Sequence, residues 1–250
     1  LATMLFPEAG LIAVVAVGVS GSLAFYSQRR TEPPPHPARE ARESGGGLLL
    51  AIPGVLPVIA VNLLVGMAFG GVDVSIVAAA EHFGNKGWSG IILGVISFGS
   101  ATAGLAYGSR KWLSPIRNRF AVFALIYAAT TWLLVLSPSI VMMGALGLLN
   151  GFAIAPSFIN SNSLIQKIVP EHRLTEGLSW IGTSVGVGAS LGSTVAGYLI
   201  DHAGAFAGLA AGATGASVAA LIAVGTLPLL ARAQAATAGE TRLPSVSARG

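Results

Sequence analysis

The chain has 250 residues, of which 53% are hydrophobic and 10% are charged, and its formal net charge is +4. A soluble globular domain carries about 25% charged residues. The low charge and the mean hydropathy of +0.75 therefore exclude a soluble protein and predict an integral membrane protein. Because the chain contains no cysteine, a disulfide framework and a thiolate metal site are excluded as well.

The first predicted element is a membrane-spanning helix over about residues 9–26. Residues 1–6, LATMLF, are interpreted as the end of an earlier helix, and Pro7 and Glu8 as a turn. A signal peptide is not predicted, because no basic region precedes this apolar stretch and no cleavage-like site follows it. Residues 1–27 are therefore interpreted as the end of a longer membrane segment whose earlier helices are missing from the chain.

Residues 28–47, QRRTEPPPHPAREARESGGG, combine charge with runs of proline and glycine. Such a segment cannot bury enough apolar surface to order itself and predicts a flexible linker. Residues 48–231 predict one domain of six membrane-spanning helices, and residues 232–250 a tail. The fold class is thus all-α, a polytopic membrane protein with about seven transmembrane helices of roughly 20 residues each. The six spans after the linker are placed at about residues 53–80, 88–109, 120–137, 140–165, 177–200 and 206–231.

The stretch from Gly104 to Arg119, GLAYGSRKWLSPIRNR, concentrates positive charge between two long apolar segments. Short loops rich in lysine and arginine stay on the cytoplasmic face of a membrane. Alternation of the spans then predicts that the linker, this loop and the tail are cytoplasmic. Every lysine and arginine except Lys86 falls on that side, which is a membrane-orientation pattern and not a nucleic-acid patch. The loop residues singled out are Gly104, Gly108, Arg110, Lys111, Arg117 and Arg119.

This basic stretch, with Gly-x-x-x-Gly-x-Arg-Lys at the foot of one span and two arginines opening the next, resembles the loop between the second and third helices of a major facilitator superfamily half. One span, a linker and six further spans resemble that family cut before its sixth helix. The resemblance implies two six-helix halves, each built from two inverted three-helix repeats. The helices at 53–80 and 140–165 would then be equivalent and line a central cavity, with those at 120–137 and 206–231 outside. The acidic residue usual in this loop is absent, and Gly108 and Ser109 stand near its place.

The two helices that the resemblance places at the cavity both carry polar residues at membrane depth. In the helix at 53–80, Asn62 and Asp73 are eleven residues apart, which places them within roughly 20° of each other around the helix. A carboxylate within a span costs about 2.5–3.5 kcal/mol and usually faces the bundle interior or a water-filled cavity. Asp73 is therefore a candidate for proton coupling, and the alternative is a structural hydrogen-bonding residue. The cavity-lining candidates are Asn62, Gly66, Phe69 and Asp73 on this helix and Asn150, Ile154, Ser157 and Ser161 on the helix at 140–165.

For the second of these helices the alternative is helix packing and a kink at Pro156, whose ring frees a backbone carbonyl. Asn160 and Asn162 are interpreted as residues that cap or solvate the inner end of the helix. The helix at 177–200 is rich in glycine, and spacing of four lets helix backbones touch, so we expect it to pack against the missing half. The packing glycines are Gly182, Gly186, Gly188, Gly192 and Gly197.

The function predicted from these features is secondary active transport of a small molecule by alternating access, with proton-coupled efflux, carried out by the C-terminal half of a transporter. The alternatives are a seven-helix receptor or a non-transporting half-protein. A retinal protein is excluded because Lys86, Lys111 and Lys167 all lie outside the spans. No catalytic motif is visible, so neither an enzyme nor a cofactor is predicted. The expected partners are the lipid bilayer of the cell membrane, a small-molecule substrate and the N-terminal half.

Overall fold

The computed structural model describes residues 7–27 and 48–240, and within these ranges the regular structure is helical. The chain divides into two units, residues 1–46 and 47–250. In the first unit, helix α1 spans Pro7–Tyr26, so the predicted helix is confirmed. Its 20 residues match the roughly 20 that cross a bilayer. Its crossing of a membrane stays a prediction, and the predicted linker at 28–47 lies outside the described residues.

The second unit contains six helices long and apolar enough to cross a membrane. This confirms an all-α polytopic bundle. A short 3-10 turn, Leu49–Ala51, leads into the first of them, and another, Glu171–Arg173, precedes the fifth. The helices are α2 Val55–His82, α3 Trp88–Gly108, α4 Ile116–Val135, α5 Ile140–Ile168, α6 Leu174–Ala203 and α7 Ala205–Gly225, followed by a shorter helix α8, Leu227–Glu240.

The expected single span at 206–231 is wrong, because α7 ends at Gly225 and a separate helix begins at Leu227. Pro228 explains the break, since proline lacks an N–H and its ring would clash with the carbonyl of residue 224 in a continuous helix. The first part of the predicted tail at 232–250 is therefore helical. Leu230 of α8 is fully buried, so this segment packs on the bundle.

The six spanning helices pack in a pattern that repeats. Helix α2 packs against α6 and α7, whereas α5 packs against α3 and α4, and α4 also contacts α7. If α2 to α4 and α5 to α7 are taken as two groups of three helices, the first helix of each group packs against the second and third helices of the other group. This reciprocal arrangement is the one that two related repeats produce, and it makes α2 and α5 the central helices of the bundle.

Helices α2 and α6 touch at the level of their backbones. A Cβ atom added to Gly192 would lie 2.6 Å from the carbonyl carbon of Met67, and one added to Gly70 would lie 2.7 Å from the carbonyl carbon of Ala189. Only glycine allows such an approach. Four glycines form this contact, in two pairs spaced by four residues: Gly66 and Gly70 on α2, and Gly188 and Gly192 on α6.

The expected packing of the α6 glycines against a missing half is therefore wrong for Gly188 and Gly192. These two residues pack against α2 of the same unit, because this side of α6 faces the bundle. Gly182 and Gly186 would meet no atom within 4 Å if a Cβ were added, and the same holds for Gly197. These three glycines lie away from the observed contact, and their packing against another half stays a prediction.

Candidate functional site

The residues predicted to line a central cavity lie mostly inside the six-helix unit. Asn62 and Asn150 are each 1% exposed, and Ser161 is 3% exposed. Ile154 and Ser157 are also buried, Gly66 packs against the backbone of α6, and Phe69 is half-buried against the core. Apart from Asp73, these side chains are thus turned toward neighbouring helices of the same unit. A role in contacting substrate stays a prediction for all of them.

Three of these residues, Asn62, Ser157 and Ser161, meet around a small cavity between α2, α4 and α5. The volume that the centre of a water molecule can occupy in it is about 10 Å³, which is enough room for one water molecule. The Ser161 hydroxyl donates a 3.0 Å hydrogen bond to the Ser157 carbonyl oxygen, and the Asn62 amide donates one of 2.8 Å to Val58. The cavity is too small for an organic substrate, so it suits a structural water.

Asn150 joins α5 to α4 at a similar level of the bundle. Its side-chain amide donates to the hydroxyl oxygens of Thr130, at 3.2 Å, and Thr131, at 3.1 Å. The Asn150 Oδ1 atom is buried and has no hydrogen-bond partner within the described part of the chain. These bonds support the structural alternative for Asn150, that it packs two helices together.

Asp73 is the exception among the predicted residues, because it is only half-buried and its neighbour Val74 is 37% exposed. It lies nine residues before the end of α2 at His82, which is roughly 14 Å along the helix. The ion pairs Lys86–Glu81 and Arg173–Glu176 do not involve it. One turn before Asp73, the Gly70 carbonyl oxygen accepts a 3.1 Å hydrogen bond from the Ser193 hydroxyl of α6.

A polar face on α6 was not predicted from the sequence. Five hydroxyl side chains recur along the helix at spacings of four and seven residues and therefore share one side of it, and all five are exposed. No charged residue lies between Glu176 and Asp201. The Ser190 and Thr194 hydroxyls donate to carbonyl oxygens one turn earlier in their own helix, at 3.1 and 2.8 Å, and each can still accept a hydrogen bond from water or another protein. The periodic Ser and Thr pattern was the available signal, and its members are Thr175, Ser179, Thr183, Ser190 and Thr194.

A second polar cluster ties three elements together at the end of the bundle that carries the basic loop, called here the basic end. The Tyr107 hydroxyl donates a 2.8 Å hydrogen bond to Asn160 Oδ1 and accepts one of 3.0 Å from Arg119 Nη1. The Trp112 ring stacks on Tyr107 at 4.5 Å, and its indole N–H donates to the Tyr107 carbonyl oxygen. The cluster joins α3, α4 and α5 through the Tyr107 hydroxyl.

The interpretation of Asn160 as a residue that solvates a helix end is wrong, since it is fully buried and hydrogen-bonded to Tyr107. Asn162 is half-buried and donates to the Phe158 carbonyl oxygen within its own helix. The other loop residues singled out lie around the cluster. Gly104 faces α5, and Gly108 ends α3 at the surface. Arg110 lies over the Trp112 ring, and Lys111 is exposed. The Arg117 guanidinium donates a hydrogen bond to the Gln234 side chain of α8.

Tyr107→Phe is expected to destabilise the bundle by about 1–3 kcal/mol, because it leaves buried polar atoms of Asn160 and Arg119 without their partner. Thermal unfolding of the purified chain in detergent measures the effect. Tyr198→Phe is the matched control, since Tyr198 is an exposed tyrosine on α6 whose hydroxyl forms no observed hydrogen bond. Equal unfolding temperatures for the two variants would contradict a structural role for the Tyr107 hydroxyl.

The fold defines an all-α polytopic membrane protein with six helices long and apolar enough to cross a membrane among the described residues. Residues 58–248 match the family described as Major Facilitator Superfamily. This match covers most of the chain, and the chain belongs to that family of membrane transporters. Among curated proteins, none matches the chain significantly.

Proposed function

We propose that the chain is part of a secondary transporter that moves a small molecule across the cell membrane by alternating access, as a proton-coupled efflux protein. Membership of the family supports the transporter class. The observation that carries the proposal is the exposed hydroxyl face of α6, which is polar at membrane depth and free of charge between Glu176 and Asp201. Such a face suits the wall of a water-filled path.

In this proposal the path has two walls, one formed by the open side of this six-helix unit and the other by an N-terminal half. Hydroxyl groups donate and accept hydrogen bonds without attracting a particular charge. The wall therefore suits an uncharged or weakly charged substrate. Asp73 supplies the titratable group, because it is a carboxylate within a spanning helix and the cations of the six-helix unit lie in loops or near helix ends. The basic end faces the cytoplasm, in accordance with the charge rule.

Reconstitution tests this proposal. The 250-residue chain alone in liposomes is expected to give no saturable efflux of a panel of uncharged and weakly basic fluorescent compounds, because only one wall of the path is present. Co-reconstitution with an N-terminal half of the family's architecture is expected to give saturable efflux coupled to proton movement, followed with a pH-sensitive dye. Saturable transport by the monomeric chain would contradict the need for two walls, and its absence from the reconstituted pair would contradict the transport function.

A further inference from the structure

Within the described ranges, no ion pair joins a carboxylate to the cations of residues 110–119 at the basic end. Between Glu81 and Glu171 the sequence contains no aspartate or glutamate, although four cations lie in the ten residues from 110 to 119. Beyond this interval, Glu176 is already held by Arg173 through hydrogen bonds of 2.8 to 3.1 Å. The exposed charge of the basic loop is therefore open to water, to lipid or to another protein segment.

The structure separates these four cations into two pairs. Arg119 points to the Tyr107 hydroxyl and Arg117 to the Gln234 side chain, so both are held by the protein itself. Arg110 and Lys111 are exposed. The guanidinium carbon of Arg110 lies 5.3 Å from the centre of the Trp112 ring, which places one exposed cation directly over an aromatic surface.

Beside these two cations the loop presents apolar surface. Trp112 is 37% exposed, and Leu113 is completely exposed. The tryptophan ring is held in place, because its N–H donates a 3.0 Å hydrogen bond to the Tyr107 carbonyl oxygen and its face stacks on the Tyr107 ring. A rigid indole and an exposed leucine next to two cations match the boundary between lipid headgroups and acyl chains, where aromatic and basic residues accumulate.

We propose that Arg110 and Lys111 bind the phosphate of an anionic phospholipid headgroup, with Trp112 and Leu113 packed against the upper part of its acyl chains. Charge complementarity favours this occupant, since anionic lipids attract basic segments at the membrane surface. The apolar pair favours a lipid over a free phosphate ion. The site requires only that the bundle be inserted in a membrane, so it is independent of the transport function and can fail separately from it.

Lipid binding to the full 250-residue chain tests the site. The purified protein is titrated with phosphatidylglycerol or with phosphatidylcholine in detergent, and retained lipid is counted by native mass spectrometry. The double variant Arg110→Gln/Lys111→Gln is expected to bind phosphatidylglycerol about 25-fold more weakly, at about five-fold per cation, without a change for phosphatidylcholine. Leu113→Ser is expected to weaken the binding of both lipids. Arg232→Gln is the matched control, because Arg232 is an exposed cation of α8 outside the loop.

Equal retention of the two lipids by the wild-type chain would overturn the site, and the exposed cations would then be assigned to an acidic segment of another protein. A double variant that keeps the preference for phosphatidylglycerol would also overturn it, as would an equal loss in Arg232→Gln. The variants are expected to fold, since all the substituted side chains are exposed, and circular dichroism of each sample checks this.

Discussion

Gly192→Val is expected to prevent assembly of the six-helix bundle or to destabilise it by roughly 3 kcal/mol or more. A Cβ at this position would lie 2.6 Å from the Met67 carbonyl carbon of α2, and backbone cannot move aside as a flexible side chain can. Overpacking of a well-packed interior costs about 1–3 kcal/mol even where side chains rearrange. Here the two helices must separate, which removes contacts along the whole length of the α2–α6 interface.

Thermal unfolding and size-exclusion chromatography in detergent measure this effect. Gly186→Val is the matched control on the same helix, because a Cβ there would meet nothing within 4 Å, and we expect a change within about 0.5 kcal/mol. If both variants eluted and unfolded like the wild type, the close approach of α2 and α6 would be contradicted. If Gly186→Val were the more damaging of the two, the opposite side of α6 would have to form the main contact.

Asp73→Asn is expected to remove the component of transport that a pH gradient drives, while folding is retained. The substitution keeps the shape of a half-buried side chain but can no longer take up and release a proton. The measurement is efflux by the reconstituted two-half protein with and without an imposed pH gradient. Transport by the variant should fall to the level that the wild type shows without the gradient.

Glu81→Gln supplies the control for Asp73→Asn, because Glu81 lies at the end of the same helix and forms an exposed ion pair with Lys86 at 3.6 Å. Exposed ion pairs contribute little to stability, so this variant should keep gradient-driven transport. An Asp73→Asn protein that transports in response to the gradient as well as the wild type does would make Asp73 a structural residue. Circular dichroism separates that outcome from a failure to fold.

Hydropathy and charge alone located the six spanning helices, because a helix that crosses lipid must be apolar over its full length whatever its neighbours are. The predicted span at 53–80 corresponds to α2 Val55–His82, and the predicted span at 88–109 corresponds to α3 Trp88–Gly108. Pro228 marks the break before Leu227, although the apolar pattern continues through it. The resemblance in the basic loop indicates the same family, the Major Facilitator Superfamily, that residues 58–248 match.

The identity of the contacts was decided only by the tertiary structure. Periodicity relates the residues of one helix to one another, but it does not say toward which neighbour a face is turned. Asn62 and Ser157 are buried inside the unit, while the exposed polar face belongs to α6. The bond between Tyr107 and Asn160 joins residues 53 positions apart, and no local pattern could have paired a phenol with that amide. Sequence determines the helices because lipid acts on each separately, whereas the site depends on how the helices are packed.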